Sequence, residues 1–424
     1  MDERSTIAAI ATAPGRGGIA VVRISGPDAF AVARKIAGRV PAPGRAASSA
    51  FRAADGALLD RGVLLAFASP KSYTGEDVVE LQCHGGAVTP RRVLDACFAA
   101  GARLARRGEF TERAFLNGRL DLSEAEGVIE LVDARTRRAA DDALARLEGR
   151  GSRAYRDLYE RALETSSTLE HALDVSEDEL PPAFAADAAR ELDALRAECV
   201  RAIKRAEGGR LLREGALVVL AGPPNAGKSS LMNALLGTNR AIVSETPGTT
   251  RDSIEESLDI GGWPVRLVDT AGLRETADTI EREGVSRAEA LADAADVVLW
   301  LGEGEPPVRF GSRAMKVHSK CDLSRGPGLN VSSVTGEGID ALLGAVAARL
   351  EEAAGGADDS SPTPSGRERS LLSEARAALD GARDDLVLAA NAARTAATAL
   401  GRLVGAEYSR DLLDALFSRF CVGK

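Results

Sequence analysis

Aromatic residues are scarce, 4% of the 424 positions, so the cores have to be built from Ala, Leu and Val, a composition that favours helices. An excess of positive charge is also missing. The formal net charge of -9 argues against nucleic-acid binding through the whole surface and confines any RNA contact to a local patch or one shared with a partner. Cys83, Cys97, Cys199, Cys321 and Cys421 show no paired Cys-x-x-Cys spacing, and the N-terminus lacks a charged-then-apolar signal pattern. Reduced thiols in a cytosolic protein are expected. No apolar stretch approaches the length of a bilayer span, so no membrane role is expected. What remains is a chain long enough for two or three domains, each with its own core.

The stretch Gly222-Pro223-Pro224-Asn225-Ala226-Gly227-Lys228-Ser229 follows the apolar run Ala216 to Leu220 and matches the strand, Gly-x4-Gly-Lys-Ser/Thr, helix pattern of a P-loop. Each part has a chemical reason. The glycines let the backbone wrap a phosphate, Lys228 reaches the outer phosphates, and Ser229 can ligate magnesium. From Ser230 a helix presents its positive N-terminus to the anion.

Before this motif, residues 1–118 alternate short apolar runs with glycine turns and read as an α+β domain. Arg91, Arg92, Arg103, Arg106 and Arg107 gather at its end, as a solvated helix face or as a surface for an anion or RNA. Residues 119–212 turn helical, with Leu122, Ala125, Val128, Ile129 and Val132 on one face and Asp121 to Ser123 as start signals. Pro181-Pro182 breaks the run and Glu207-Gly208-Gly209 is expected to end it. Residues 213–350 form the nucleotide unit, 351–366 a linker rich in Ala, Gly, Asp, Ser and Pro, and 367–424 a second helical part. Both helical parts are expected in one bundle that the nucleotide domain interrupts.

Downstream, Pro247 to Asp252 forms a turn-rich segment whose threonines can complete a magnesium shell. Val265 to Val268 lead into Asp269-Thr270-Ala271-Gly272, a carboxylate for magnesium and a glycine amide for the γ-phosphate. Lys320-Cys321-Asp322 offers a carboxylate for guanine N1–H and the 2-amino group, which adenine lacks, and Ser332-Ser333 would close over the base. These motifs, together with the family resemblance that follows, imply a GTP-binding set of Asn225, Ala226, Gly227, Lys228, Ser229, Ser230, Ser244, Glu245, Thr246, Pro247, Gly248, Thr249, Thr250, Asp269, Thr270, Ala271, Gly272, Lys320, Asp322, Ser332 and Ser333. This order resembles a translation-factor-type GTPase, with two departures. Asparagine is usual where Ser319 stands, so a tether of the base-reading loop is weakened or replaced. Leu273 occupies the place of a water-orienting glutamine, so either hydrolysis is poor or another group does the work; Glu281 is a carboxylate that could reach in, though by itself it reads as an ordinary acidic helix residue.

Further stretches carry a wider resemblance: Pro14 to Gly18, Ser72 to Asp77, His84-Gly85-Gly86, Gly108 to Thr111, Ala114 to Asp121, and the terminal Cys421-Val422-Gly423-Lys424. Together and in order, they resemble the tRNA-modification GTPase family called MnmE or TrmE over nearly the full length. The resemblance implies a multidomain fold: an α+β tetrahydrofolate-binding-like N-terminal domain, a discontinuous α-helical bundle, and an inserted Ras-like α/β P-loop GTPase domain. It implies a homodimer formed through the N-terminal domain. It also implies a 5-formyltetrahydrofolate or related one-carbon folate site at Arg23, Glu80, Arg119 and Lys424, where a carboxylate suits the guanidine-like pterin edge and cations suit the folate carboxylates. Potassium would lie between Asn225, Ser244, Thr246 and Thr249, and Mg2+ on Ser229 and Thr250, with Glu281 as the water-positioning catalytic residue. Cys421, in the family's terminal motif, is a candidate catalytic thiol near the folate or the modified base.

By that resemblance the protein is a potassium-dependent GTPase that works with an FAD-dependent partner, MnmG (GidA). The pair would add an aminomethyl-type group at C5 of the wobble uridine of certain tRNAs. The rival readings are a ribosome-assembly GTPase, which has no use for a folate site, and a regulatory GTPase with slow, potassium-indifferent turnover.

Overall fold

The computed structural model describes residues 5–176, 179–238, 255–269, 290–356, 362–380 and 385–424. The chain divides into two compact units, Met1–Ile129 with Val404–Lys424, and Glu130–Leu403.

In the first unit, the strands are β1 (Ile7–Ile10), β2 (Ala20–Ser25), β3 (Ala46–Arg52), β4 (Leu58–Phe67), β5 (Val78–Cys83) and β6 (Arg103–Leu104), in the spatial order β3-β4-β5-β2-β1-β6. All neighbours are antiparallel except β1 and β6. Side chains alternate across such a sheet. Val22 and Ile24 of β2 therefore enter one core with helices α1 (Ala29–Ala37) and α2 (Thr89–Ala99), while Arg23 between them faces the other way. On β1, Ala8 joins that core, and Ile7 and Ala9 pack on the opposite side with Phe110 of α3 (Glu109–Leu116). Next comes α4 (Leu122–Asp133), which opens with a reciprocal cap: the Glu124 amide donates to Asp121 Oδ1 and the Asp121 amide to Glu124 Oε2, both at 2.8 Å. The C-terminal helix Arg410–Phe417 packs against it through Leu413, Leu416 and Phe417, and Phe420 joins the same cluster. The sequence groups residues 404–424 with the helical part; here they pack with the N-terminal unit.

In the second unit, α5 (Arg137–Leu147), α6 (Arg150–Leu173) and α7 (Phe184–Glu214) precede a sheet ordered β12-β11-β10-β7-β9-β8. Its strands are β7 (Ala216–Ala221), β8 (Glu255–Ile260), β9 (Trp263–Asp269), β10 (Val297–Trp300), β11 (Ala314–His318) and β12 (Leu329–Asn330). Only the β8–β9 pair is antiparallel. Helix α8 (Lys228–Thr238) follows β7, and α9 (Ile339–Ala353) follows β12. After them, α10 (Gly366–Leu379) and α11 (Leu386–Leu403) return to pack with α7 and α6. Ala389, Ala390, Ala393, Ala396 and Ala397 are buried along α11, so the core is made of small side chains, as the low aromatic content requires.

The helical run expected to stop at Glu207-Gly208-Gly209 instead continues unbroken to Glu214 and ends at Gly215, φ 82°. Those glycines serve close packing rather than termination: a Cβ on Gly208 would meet that of Ala354 at 3.2 Å, and one on Gly209 would meet Thr363 Oγ1. The expected linker also differs at its end. Pro362, Pro364 and Ser365 are buried, Asp142 accepts from the Thr363 amide at 2.9 Å, and Arg213 donates to the Pro364 carbonyl at 2.7 Å. Beside them, buried Arg146 pairs with Glu368 at 2.8 Å and Glu130 at 3.0 Å, and donates to the Thr363 carbonyl. Among the described residues no helix is long and apolar enough to cross a membrane.

Candidate functional site

The fully buried strand β7, in the interior of its sheet, delivers the glycine loop at its carboxyl end, where ligands bind in parallel α/β folds. Gly222 (φ 147°), Asn225 (φ 61°) and Gly227 (φ 90°) bend the backbone into a cradle. A Cβ on Gly222 would lie 3.1 Å from the Leu301 backbone, so this turn requires glycine. The Lys228 ammonium, nearly buried, donates to the carbonyls of Gly222 at 3.0 Å and Pro223 at 2.8 Å. It therefore sits inside the curl, where a phosphate would lie. Ser229 Oγ donates to Asp269 Oδ2 at 2.5 Å, joining the first turn of α8 to the end of β9. A hydroxyl beside a carboxylate is a donor set that fits magnesium, and the loop with its lysine fits a nucleoside triphosphate.

The base-reading stretch arrives beside this loop. Ser319 Oγ donates to the Ala226 carbonyl at 2.6 Å, and Lys320 Nζ to the Asn225 carbonyl at 3.2 Å. The tether that asparagine would provide is thus replaced by a serine hydroxyl. Asp322 is exposed in the turn that follows. Ser332 is fully buried: its amide donates to the Glu337 carbonyl at 2.9 Å, and its Oγ accepts from the amides of Val334 and Thr335. Ser230 is exposed at the start of α8 and Ser333 is half-buried. Ser244, Glu245, Thr246, Pro247, Gly248, Thr249, Thr250, Thr270, Ala271, Gly272 and Glu281 lie outside the described residues. Of the potassium set, Asn225 alone is described.

In the N-terminal unit, Arg23 of β2 and Glu80 of β5 are register partners, with Nε 2.9 Å from Oε1. The guanidinium lies over the rings of Tyr73 and Phe110, at 5.5 and 5.7 Å from their centroids. Burial raises the Tyr73 phenol, and its hydroxyl bonds Thr111 Oγ1 at 2.8 Å. The Phe110 amide in turn donates to the Lys424 carbonyl at 3.3 Å, and the Gly108 amide to that of Cys421 at 3.4 Å. The terminal motif is therefore seated on the start of α3. Gly423 (φ 103°) lies so close to the Ile10 carbonyl that a Cβ would collide with it. Cys421 is exposed. Arg119 is exposed and packs along Gly75, two residues from Tyr73. Arg23, Glu80, Phe110 and the Lys424 backbone are thus linked by contacts, and Arg119 joins through the Ser72 to Asp77 loop.

Sequence reasoning missed Tyr73 and Phe110 as the floor under Arg23, although both lie inside quoted motifs of a chain poor in aromatics. The arginine cluster resolves differently from an open basic surface. Arg103 pairs with Glu109 at 2.5 Å, Arg106 with Glu112 at 2.8 Å, and Arg107 donates to the Phe420 carbonyl at 2.9 Å. Arg91 and Arg92 remain exposed. A cavity of about 730 Å³ between α5, α7, α9 and the β8–β9 turn contains none of the expected site residues.

The family model described as the GTP-binding protein TrmE N-terminus matches residues 6–119, and that of the MnmE helical domain matches residues 122–421. A tRNA modification GTPase MnmE of Alkalilimnicola ehrlichii is 44% identical over 449 residues, covering 99% of this chain and 100% of that one. The protein of the same name from Nitrosomonas europaea is 41% identical and covers 100% of both chains. Of solved structures, the G domain of the T. maritima FeoB iron transporter is 27% identical, covers 33% of this chain and 98% of its own, and has a TM-score of 0.24.

Proposed function

Because the chain belongs to the MnmE family of tRNA-modification GTPases, we propose that its GTP hydrolysis drives addition of an aminomethyl-type group at C5 of the wobble uridine of certain tRNAs. An FAD-dependent partner of the MnmG kind would share that reaction, and the chain would act as a homodimer. The observation that carries the GTP reading is the P-loop, with Lys228 held on the Gly222 and Pro223 carbonyls and Ser229 against Asp269.

On this reading Lys228 would exchange the loop carbonyls for the outer phosphate oxygens, and Ser229, Asp269 and Thr250 would hold magnesium, which would neutralise charge on those oxygens. Potassium, held by Asn225, Ser244, Thr246 and Thr249, would supply positive charge where negative charge develops between the β- and γ-phosphates. Glu281 then orients the attacking water, a task Leu273 is unable to perform. Guanine is chosen by Asp322. In the N-terminal unit the support is chemical fit. Glu80 already accepts from the Arg23 guanidinium at 2.9 Å, and a carboxylate there has the acceptors that the amino-pyrimidine edge of a pterin needs. Arg119 and Lys424 would meet the folate carboxylates, with Cys421 beside them.

Nucleoside mass spectrometry on bulk tRNA from a strain lacking the gene, with and without the gene restored, tests the reading. Loss of C5-modified wobble uridine that returns on complementation is expected. Unchanged uridines would overturn it and leave a ribosome-directed GTPase.

A further inference from the structure

The loop that reads the base is fastened to the loop that holds the phosphates at two adjacent carbonyls. Ser319 takes the Ala226 carbonyl at 2.6 Å and Lys320 takes that of Asn225 at 3.2 Å. Asn225 and Lys320, at φ 61° and 59°, are the two non-glycine residues with left-handed backbone among the described residues. Both residues lie at the contact itself, where Lys320 donates to the Asn225 carbonyl. Gly227, whose φ of 90° requires glycine, lies against the same serine, with room for little more than van der Waals contact to Ser319 Oγ. On its far side the base-reading loop is anchored by Val331, which follows β12: the Cys321 amide donates to the Val331 carbonyl at 3.0 Å, and the Val331 amide to that of His318 at 2.9 Å. Towards the P-loop, the hydrogen bonds among the described residues are those of Ser319 and Lys320.

We propose that Ser319 is a positioning residue for the nucleotide, acting through Ala226, and that it sets how tightly a nucleotide is held but not which base is chosen. This rests on the P-loop reading above. The choice of base belongs to Asp322, whose carboxylate accepts from N1–H and the 2-amino group. The Ser319 hydroxyl is already committed to a backbone carbonyl, so its loss loosens the whole loop and penalises every base alike.

The test is binding and release of fluorescent GDP and IDP, the latter lacking the 2-amino group, by the full chain carrying Ser319→Ala, Ser319→Thr or Asp322→Asn. Loss of one net hydrogen bond predicts that Ser319→Ala weakens both nucleotides about five- to tenfold. The loss should appear mainly as faster release, with the GDP-to-IDP ratio unchanged. Ser319→Thr keeps the hydroxyl and should stay within about twofold of wild type. Asp322→Asn should change the ratio itself. The clamp is overturned if Ser319→Ala binds GDP as wild type does, if it loses GDP while keeping IDP, or if the threonine variant fails as badly as the alanine one. A wild-type chain that binds no guanine nucleotide overturns the site reading and the clamp with it.

Discussion

Arg146 is a side chain whose loss should cost the Glu130–Leu403 unit several kcal/mol, on the order of 3. Its guanidinium is 1% exposed, beside Glu368 at 0% and Glu130 at 12%. Arg146→Met keeps the apolar stem but leaves Glu368 buried without its nearest cation, and breaking a buried pair from one side costs about 3–5 kcal/mol. Two features temper the loss. Glu368 still accepts from the Ser365 amide at 2.7 Å in the capping box of α10, and Arg367 stands 4.0 Å from its other oxygen. The low end, about 3 kcal/mol, is therefore expected. At about 2 °C per kcal/mol for a unit of this size, the unfolding midpoint should fall by about 6 °C. Adding Glu368→Gln removes the stranded charge, so the double variant should lose about 2 kcal/mol less than the two single variants together. Scanning calorimetry of the full chain reads both quantities. A single-variant midpoint within about 1 °C of wild type, or strict additivity in the double variant, would refute the reasoning.

Glu109 gives the fold an acid-sensitive group. Burial alone would raise its carboxyl, but hydrogen bonds from Arg103, the Arg106 amide and Arg113 outweigh that and hold it at about 2, against 4.5 for the free side chain. Its contribution is complete above about pH 4.5 and is lost as the pH falls towards 2. Glu109→Gln should therefore be less stable at neutral pH and flatten the acid limb in that window; parallel acid-unfolding curves for variant and wild type would count against the assignment. Gly423→Ala puts a Cβ into the Ile10 carbonyl at a left-handed position. It should unseat the terminal motif and weaken formyl-tetrahydrofolate about tenfold by calorimetric titration, with guanine-nucleotide binding unchanged. Equal folate affinity in the two proteins would separate Lys424 from that site.

The P-loop was legible because its signal is local. Strand, glycine spacing, lysine and helix lie within β7 to α8, and each follows from the backbone geometry a phosphate needs. The two glycines of α7 misled for the opposite reason. Gly208 and Gly209 carry a turn signature in sequence, but tertiary contacts with Ala354 and Thr363 decide their role, and a long helix tolerates them when close packing offsets their propensity. Ser319 lies between these cases. The missing asparagine could be seen in sequence, whereas the partner of the serine that replaces it lies 93 residues away. Tyr73 and Phe110 stayed hidden because a stacking floor has no spacing rule; they pack with Ile7 and Ala9 on the sheet face to which Arg23 points, a juxtaposition made by the tertiary fold.

Charge was the least legible property. A chain with 28% charged residues reads as one with solvated helix faces, and many of its pairs are of that surface kind, worth little individually. Several are not. Arg113 joins Glu76 to Glu109 inside the N-terminal unit, and Arg146 joins Glu130 to Glu368 inside the other. The second cluster sits where the chain passes into and out of the P-loop sheet. Arg213, in the last turn of α7 before β7, lies 3.6 Å from Glu130 and donates to the Pro364 carbonyl, just ahead of α10. Asp142 holds Thr363 beside it. The segments flanking the nucleotide unit are therefore fixed to one another by charge and backbone hydrogen bonds as well as by the apolar faces of α7 and α10. Periodicity reports which face of a helix is buried; it carries no information on which charges are buried with it.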